Sequence, residues 1–156
     1  MPDRPELDLM YQAVAARRLQ WDNLLWQVPV LSLTAQAFLF TTALGADVHG
    51  WARALAALLS LIISVLSILL MGRHRQGELT GAHWLERYEQ QVLGVGPWGA
   101  HGEPVRDARE FEGLDAGWVG RRIPLRPMFA VWVVGLGLFG LAAIGVVVQT
   151  VVVALC

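Results

Sequence analysis

The chain contains no lysine, a single cysteine and few charges of either sign. Each shortage removes a class of protein. Only 16% of its 156 residues are charged, whereas a soluble domain carries about a quarter, and the deficit is concentrated in three blocks. Loss of charge in blocks excludes an ordinary water-soluble globule and predicts membrane spans. All twelve basic residues are arginines, and thirteen acids leave a net charge of −1, so there is no basic footprint for nucleic acid. The lone cysteine, Cys156, is the last residue. It supports neither a disulfide framework nor a paired-cysteine metal site, and a prenylation box needs three residues after the cysteine. Asp3, Arg4, Glu6, Asp8, Arg17, Arg18 and Asp22 interrupt any apolar core of a cleavable signal. The first span is therefore expected to direct insertion itself.

What is present is a run from Met128 to Leu155, MFAVWVVGLGLFGLAAIGVVVQTVVVAL, without a single charge. As a helix it reaches about 42 Å, more than the ~30 Å hydrocarbon layer of a bilayer. About twenty of its residues are expected to cross the core and the last turns to enter the headgroup region. Shorter uncharged stretches lie at residues 28–46 and 54–71. The predicted fold is all-α: a polytopic membrane protein with three transmembrane helices, an N-terminal amphipathic helix and a cytoplasmic helical insert. Its parts are an amphipathic helix at 1–27, a transmembrane hairpin at 28–71, a cytoplasmic helix and loop at 72–127, and a third span at 128–155. Three arginines precede the first span, eight lie between residues 72 and 127, and Arg53 alone sits in the turn between spans one and two. The positive-inside rule then places the N-terminus and residues 72–127 in the cytoplasm, and Cys156 outside the plasma membrane.

Residues 3–27 read as a helix opened by a capping box between Asp3 and Glu6. Met10, Val14, Trp21, Leu25 and Val28 recur at helical spacing, with Arg17 and Arg18 breaking the stripe. Two readings stand side by side: a helix on the inner membrane surface or paired with a copy of itself, and a helix packed against the chain's own cytoplasmic segment. Trp21 and Trp26 suit the headgroup zone. Pro29 predicts a bend between surface helix and span.

The first two spans carry their polarity in a pattern. The first holds Ser32, Thr34, Gln36, Thr41 and Thr42; the second holds Ser60, Ser64 and Ser67, whose offsets of four and three return to one helical face. The turn GADVHGWAR allows only an antiparallel hairpin. Measured from the cytoplasmic ends, Gln36 matches Ser64 in depth and Ser32 matches Ser67. The expected result is a polar ladder of two rungs, each bond contributing ~1 kcal/mol or less. In the third span Gly135, Ala142, Gly145 and Gln149 fall on one side and predict a packing face toward the hairpin or a second subunit. That span lacks a strict GxxxG.

In the insert, Trp84, Leu85, Tyr88 and Val92 form a modest apolar face, and Gly77 and Gly81 weaken the helix by up to ~1 kcal/mol each. One or two helical turns are expected at 106–114. The letters of Gly94-Val95-Gly96-Pro97-Trp98-Gly99 match GxGxxG, with Asp115 about twenty residues on. A dinucleotide site needs that loop between a strand and a helix; here it follows a helix and reads as a terminating turn. His74 and Glu78, four apart, form a weak metal candidate, and two ligands do not make a site. Arg73, Arg75, Arg121, Arg122 and Arg126 read as a topology signal that attracts anionic headgroups. No ionisable residue lies within a span, which disfavours a proton relay or ion-coupled transport. Nothing matches a catalytic constellation, so neither enzymatic activity nor a cofactor is expected.

The amphipathic helix, the tight two-span hairpin and the cytoplasmic helix beginning RHRQGELTGAHWLERYE together resemble, in layout, the SLATT-type bacterial membrane domains over residues 5–93. The resemblance implies a pore-forming effector of conflict systems. The third span departs from the two-span plan, and no site residue carries over. Two functions follow as expectations. One is an oligomeric membrane assembly or adaptor component, whose partners are the bilayer and either copies of itself or another membrane protein. The other is a multi-subunit channel lined by Gln36, Ser64 and the Thr34/Thr41 face.

Overall fold

A computed structural model describes residues 4–96, 99–101 and 128–156. The expected cap at Asp3, the turns at 106–114, Asp115, Arg121, Arg122 and Arg126 lie outside the described residues. Three long helices carry the rest: α1 (Arg4–Ala43), α2 (Gly50–Tyr88), which passes into a π-helical turn at Glu89–Leu93, and α3 (Met128–Leu155). Among the described residues there is no strand. All three helices are long and apolar enough to cross a membrane.

Two boundaries differ from those read in the sequence. α1 runs through Pro29 without interruption, so the N-terminal helix and the first apolar stretch are one element. Pro29 removes only its own N–H from the backbone ladder, and its ring is fully buried, so packing holds what propensity would break. The hairpin turn is also shorter than the sequence suggested, covering residues 44–49. The His49 carbonyl accepts from the amides of Ala52 and Arg53, which starts α2 at Gly50 and places Arg53 in its first turn.

The described residues form two compact units. One takes residues 25–73 and 128–156, the other residues 4–24 with 74–96 and 99–101. In the first unit, Leu25, Met71 and Leu136 are buried together with Val28, Phe129 and Trp132 against them. A second cluster joins Ala43, Ala56, Ala57 and Val146, with Leu39 and Phe40 alongside. The rings of Phe40 and Phe139 meet at 5.7 Å. The outer surface of this unit is apolar: Leu31, Phe38, Leu66, Leu69 and Val134 are all exposed.

The second unit pairs the N-terminal half of α1 with the C-terminal half of α2. The stripe of α1 that faces inward runs Leu7, Tyr11, Val14, Arg18 and Trp21, spaced by four and three; Met10 is exposed and takes no part. Arg18 therefore belongs to the packing face that it was expected to break. The two glycines of α2 mark the close approach. A β-carbon at Gly77 would lie 3.0 Å from the Trp21 indole, and one at Gly81 3.2 Å from Arg18 Cβ. This arrangement is the one in which the N-terminal helix packs on the chain's own insert. Leu85 and Tyr88 are buried, Trp84 stacks on Tyr88 at 5.3 Å, and Val92 is exposed. The helix stops where Gly94 turns to φ 67°, a conformation that glycine adopts without strain, and its N–H returns to the Glu89 carbonyl.

Candidate functional site

In the first unit the polar residues of α1 and α2 converge. Gln36 is completely buried, and its amide nitrogen donates to the Ser60 carbonyl at 3.0 Å and to Ser64 Oγ at 2.7 Å. The Ser60 hydroxyl donates back to Gln36 Oε1. Both amide hydrogens and the amide oxygen are thus engaged, in a site where an unpaired amide would cost several kcal/mol. α3 closes the cluster from the third side: a β-carbon at Gly140 would lie 3.4 Å from Ser64 Cβ and 3.6 Å from Leu61 Cδ1.

Depth matching therefore locates one rung and misses the other. Gln36 and Ser64 meet, but Ser32 Oγ is buried without a partner and makes no bond to Ser67. Ser60, which was placed on the stripe but not in the ladder, supplies two of the three Gln36 contacts. Thr34 and Thr41 are exposed on α1, with hydroxyls turned onto the carbonyls of Val30 and Ala37 at 3.0 and 2.8 Å. Buried Gln36 and Ser64 share no surface with these threonines, so the residues expected to line a channel are not brought together within one chain.

The small-residue face of α3 does not pack inside the chain either. Ala142, Gly145 and Gln149 are exposed, and a β-carbon at Gly135 or Gly145 would meet nothing within 4 Å. The buried residues are Leu136, Gly140, Ala143 and Val146, on a face turned by roughly a third of a revolution at ~100° per residue. Small size alone did not identify the contact face, because Trp132 and Leu136 supply bulk that neighbouring small residues accommodate.

Among the described residues of the second unit two carboxylates are buried, Glu78 and Glu89. Glu78, which the sequence paired with His74 as a metal candidate, accepts instead from Arg75 Nη1 at 2.5 Å and lies 3.4 Å from Arg18 Nη2. His74 is buried against the Trp21 ring at 5.3 Å, with Nδ1 unpartnered. No group of three metal-ligating side chains occurs among the described residues. Two guanidinium groups already balance Glu78, which makes it a poor ligand for a cation.

Glu89 is not singled out by the sequence, and three hydrogen-bonding groups converge on its carboxylate. Tyr11 Oη donates to its Oε1 at 2.7 Å, His101 Nδ1 lies 2.6 Å from the same oxygen, and the His101 backbone N–H donates to Oε2 at 3.0 Å. Burial opposes ionisation of Glu89, but the bonds from the His101 ring, the His101 backbone and Tyr11 outweigh it and hold the carboxyl below its ordinary value. Burial first, then the bond to Glu89, pushes the Tyr11 phenol up to about 12. The only sequence signal for this site was a carboxylate on the α2 face that also carries Leu85, next to the glycines that end the helix. The group pins residues 99–101 to both helices, since Gly94 and Gly96, each with positive φ, turn the chain after the π-helical turn. The described part of the GxGxxG letters thus lies at a helix end, with Pro97 and Trp98 outside the described residues.

No protein family, no curated protein and no solved structure matches the chain.

Proposed function

We propose that the chain is a small integral membrane protein whose three long helices span the bilayer, and that it serves as a subunit of an oligomeric membrane assembly. One observation carries the membrane part: the outer surface of the first unit is apolar, and a polar cluster is buried within it. Leu31, Phe38 and Leu66 face outward while Gln36, Ser60 and Ser64 are buried, an arrangement that water disfavours and hydrocarbon favours. The exposed Thr34 and Thr41 fit the same solvent, since each hydroxyl returns its proton to its own helix. The positive-inside rule, applied to the arginines of the sequence, favours a cytoplasmic N-terminus and cytoplasmic residues 72–127.

The assembly part follows from α3. Half-buried Gly135 and exposed Ala142, Gly145 and Gln149 form a narrow face on which a second helix can approach the backbone closely, with an amide available for an interhelical bond. A second copy of the chain is the partner proposed. The channel reading, which the SLATT-like layout implies, draws less support because Gln36 and Ser64 are consumed inside one chain. No catalytic step and no cofactor is assigned.

The test is the oligomeric state in lipid nanodiscs by single-molecule photobleaching. Wild type is expected as dimers or larger, and Gly145→Leu is expected to shift the population toward monomers. A monomer at every protein-to-lipid ratio would remove the assembly reading.

A further inference from the structure

Where α1 gives way to α2 and α3 ends, the first unit contains a cavity of about 540 Å³. Its walls are mostly apolar, with Trp51, Ala54, Val151 and Val153 among them, and its polar lining includes Arg53 and Gln149. The volume falls within the ~300–1,000 Å³ of ordinary ligand sites. Thr150 also lines it, but its hydroxyl donates to the Val146 carbonyl at 2.8 Å. Arg53 is the one charged residue among the described lining residues.

The guanidinium is held and largely unspent. Arg53 Nη2 donates to the Gly45 carbonyl at 2.7 Å, and Nε is buried with no partner. An arginine has five N–H donors, and among the described residues no carboxylate lines the cavity to take them; Asp47, in the same turn, is exposed and not part of the wall. The start of α2 adds potential of the same sign. Ala52 and Arg53 are the first amides to bond back, to His49, and Gly50 lines the cavity at the positive end of the helix.

We propose that this cavity binds an anionic glycerophospholipid, with the headgroup phosphate on Arg53 and an acyl chain along Trp51, Ala54, Val151 and Val153. The inference rests on the membrane reading above. Trp51 and Val153 are 72% and 70% exposed, so the apolar wall continues onto the surface assigned to lipid, while the half-buried guanidinium of Arg53, its Nε unpartnered, offers donors to an anion. An anionic headgroup is preferred over a zwitterionic one, whose own ammonium competes for the phosphate. Inorganic phosphate satisfies the arginine but leaves the apolar wall uncovered.

The experiment uses the full chain, reconstituted with equal amounts of phosphatidylglycerol and phosphatidylcholine of identical acyl chains, then released and weighed by native mass spectrometry. Wild type is expected to retain the anionic lipid at least ~5-fold over the zwitterionic one, the scale of one charge-assisted contact. Arg53→Gln should abolish that preference. Because Arg53 also braces Gly45, a second variant, Ala154→Trp, fills the cavity and leaves the arginine in place; it should lower retention of both lipids at unchanged helix content. Equal retention by wild type, an unaltered preference in Arg53→Gln, or full displacement by millimolar inorganic phosphate each overturns the proposal. Flotation of the proteoliposomes separates the two levels: chain that floats without lipid preference refutes only the site, and chain that does not float refutes the membrane reading as well.

Discussion

Gln36 and Ser60 form a reciprocal pair between α1 and α2: the amide nitrogen donates to the serine carbonyl at 3.0 Å while the serine hydroxyl donates to the amide oxygen. The side chain thereby reads backbone as well as side chain on the opposite helix, which fixes axial register and not only proximity. Ser64 takes the remaining amide hydrogen at 2.7 Å. Leucine at 36 would remove all three bonds at once, although both serines can turn back onto their own helix. Gln36→Leu is expected to destabilise the hairpin by ~1–3 kcal/mol and Ser64→Ala by ~1 kcal/mol or less. Thermal unfolding in detergent measures both, and an unchanged midpoint for Gln36→Leu would show that the cluster is energetically idle.

The inward face of α2 explains how much could be read beforehand. Ala57, Ser60, Ser64, Ser67, Met71, His74, Glu78, Gly81, Leu85 and Tyr88 alternate offsets of three and four along the helix, the repeat of two helices packed side by side. Helix positions and the three apolar stretches were legible because charge loss over eighteen or more residues has few other causes. The seam is only partly legible, because seven of its ten members are polar or small and an apolar-periodicity reading discards them. Periodicity makes Arg18 a break in the apolar stripe and Glu78 a partner of His74, whereas in the fold the two charges lie 3.4 Å apart. Gly77 and Gly81 looked like helix weakeners, yet their missing side chains admit Trp21 and Arg18.

That close approach gives the second prediction. A β-branched side chain at Gly77 would overlap the Trp21 indole, whose atoms lie 3.0 Å from the position of a β-carbon. Overpacking of this kind typically costs ~1–3 kcal/mol, which exceeds the helix-propensity gain of up to ~1 kcal/mol from replacing glycine. Gly77→Val is therefore expected to loosen the second unit. Faster limited proteolysis within residues 4–24, with a red shift in tryptophan emission, reports it.

The third concerns pH. Glu89 ionises more easily in the folded chain than in the unfolded one, so its contribution is fully present above the ordinary carboxylate value of ~4.5 and is lost as pH falls through the lower folded value. Tyr11 has the opposite sense: its raised pKa of about 12 gives a contribution present below ~10 and lost as pH climbs toward 12. Protection of residues 99–101 from proteolysis should hold from pH 5 to about 9 and weaken at both extremes. Glu89→Gln should flatten the acid limb, and an acid limb that survives this substitution would assign the effect to another carboxylate.

The fourth concerns the other acid. Glu78 is 8% exposed and lies between Arg18 and Arg75, which are 30% and 41% exposed. Removing it takes from Arg18, whose Nε is already buried without a partner, its ion pair with Glu78. Loss of a buried partner costs ~3–5 kcal/mol when both charges are dry; the half-open arginines reduce the expectation to ~1–3 kcal/mol. Arg18→Met together with Glu78→Leu should recover part of that loss, since an uncharged pair needs no counter-ion. A double-mutant cycle on the unfolding midpoint distinguishes a coupled pair from two independent sites.

Two glycines in α3 separate the fold from the proposed assembly. Gly140 faces Ser64 and Leu61 inside the unit, with 3.4 Å between a β-carbon placed there and Ser64 Cβ, whereas Gly145 faces open space. Leucine at 140 has to push α3 away from the Gln36 cluster, and a cost of ~1–3 kcal/mol is expected for forcing methylenes into a packed contact. Leucine at 145 meets nothing within the chain, and glycine is the poorer helix former, so the isolated subunit should unfold at the same temperature or slightly higher. In nanodiscs the order should reverse: Gly145→Leu weakens association because the backbone of a second copy can no longer approach, while any Gly140→Leu chain that still folds associates normally. If Gly145→Leu changed neither melting nor association, α3 would face lipid alone on that side, and the contact between copies would have to be sought on α1 or α2.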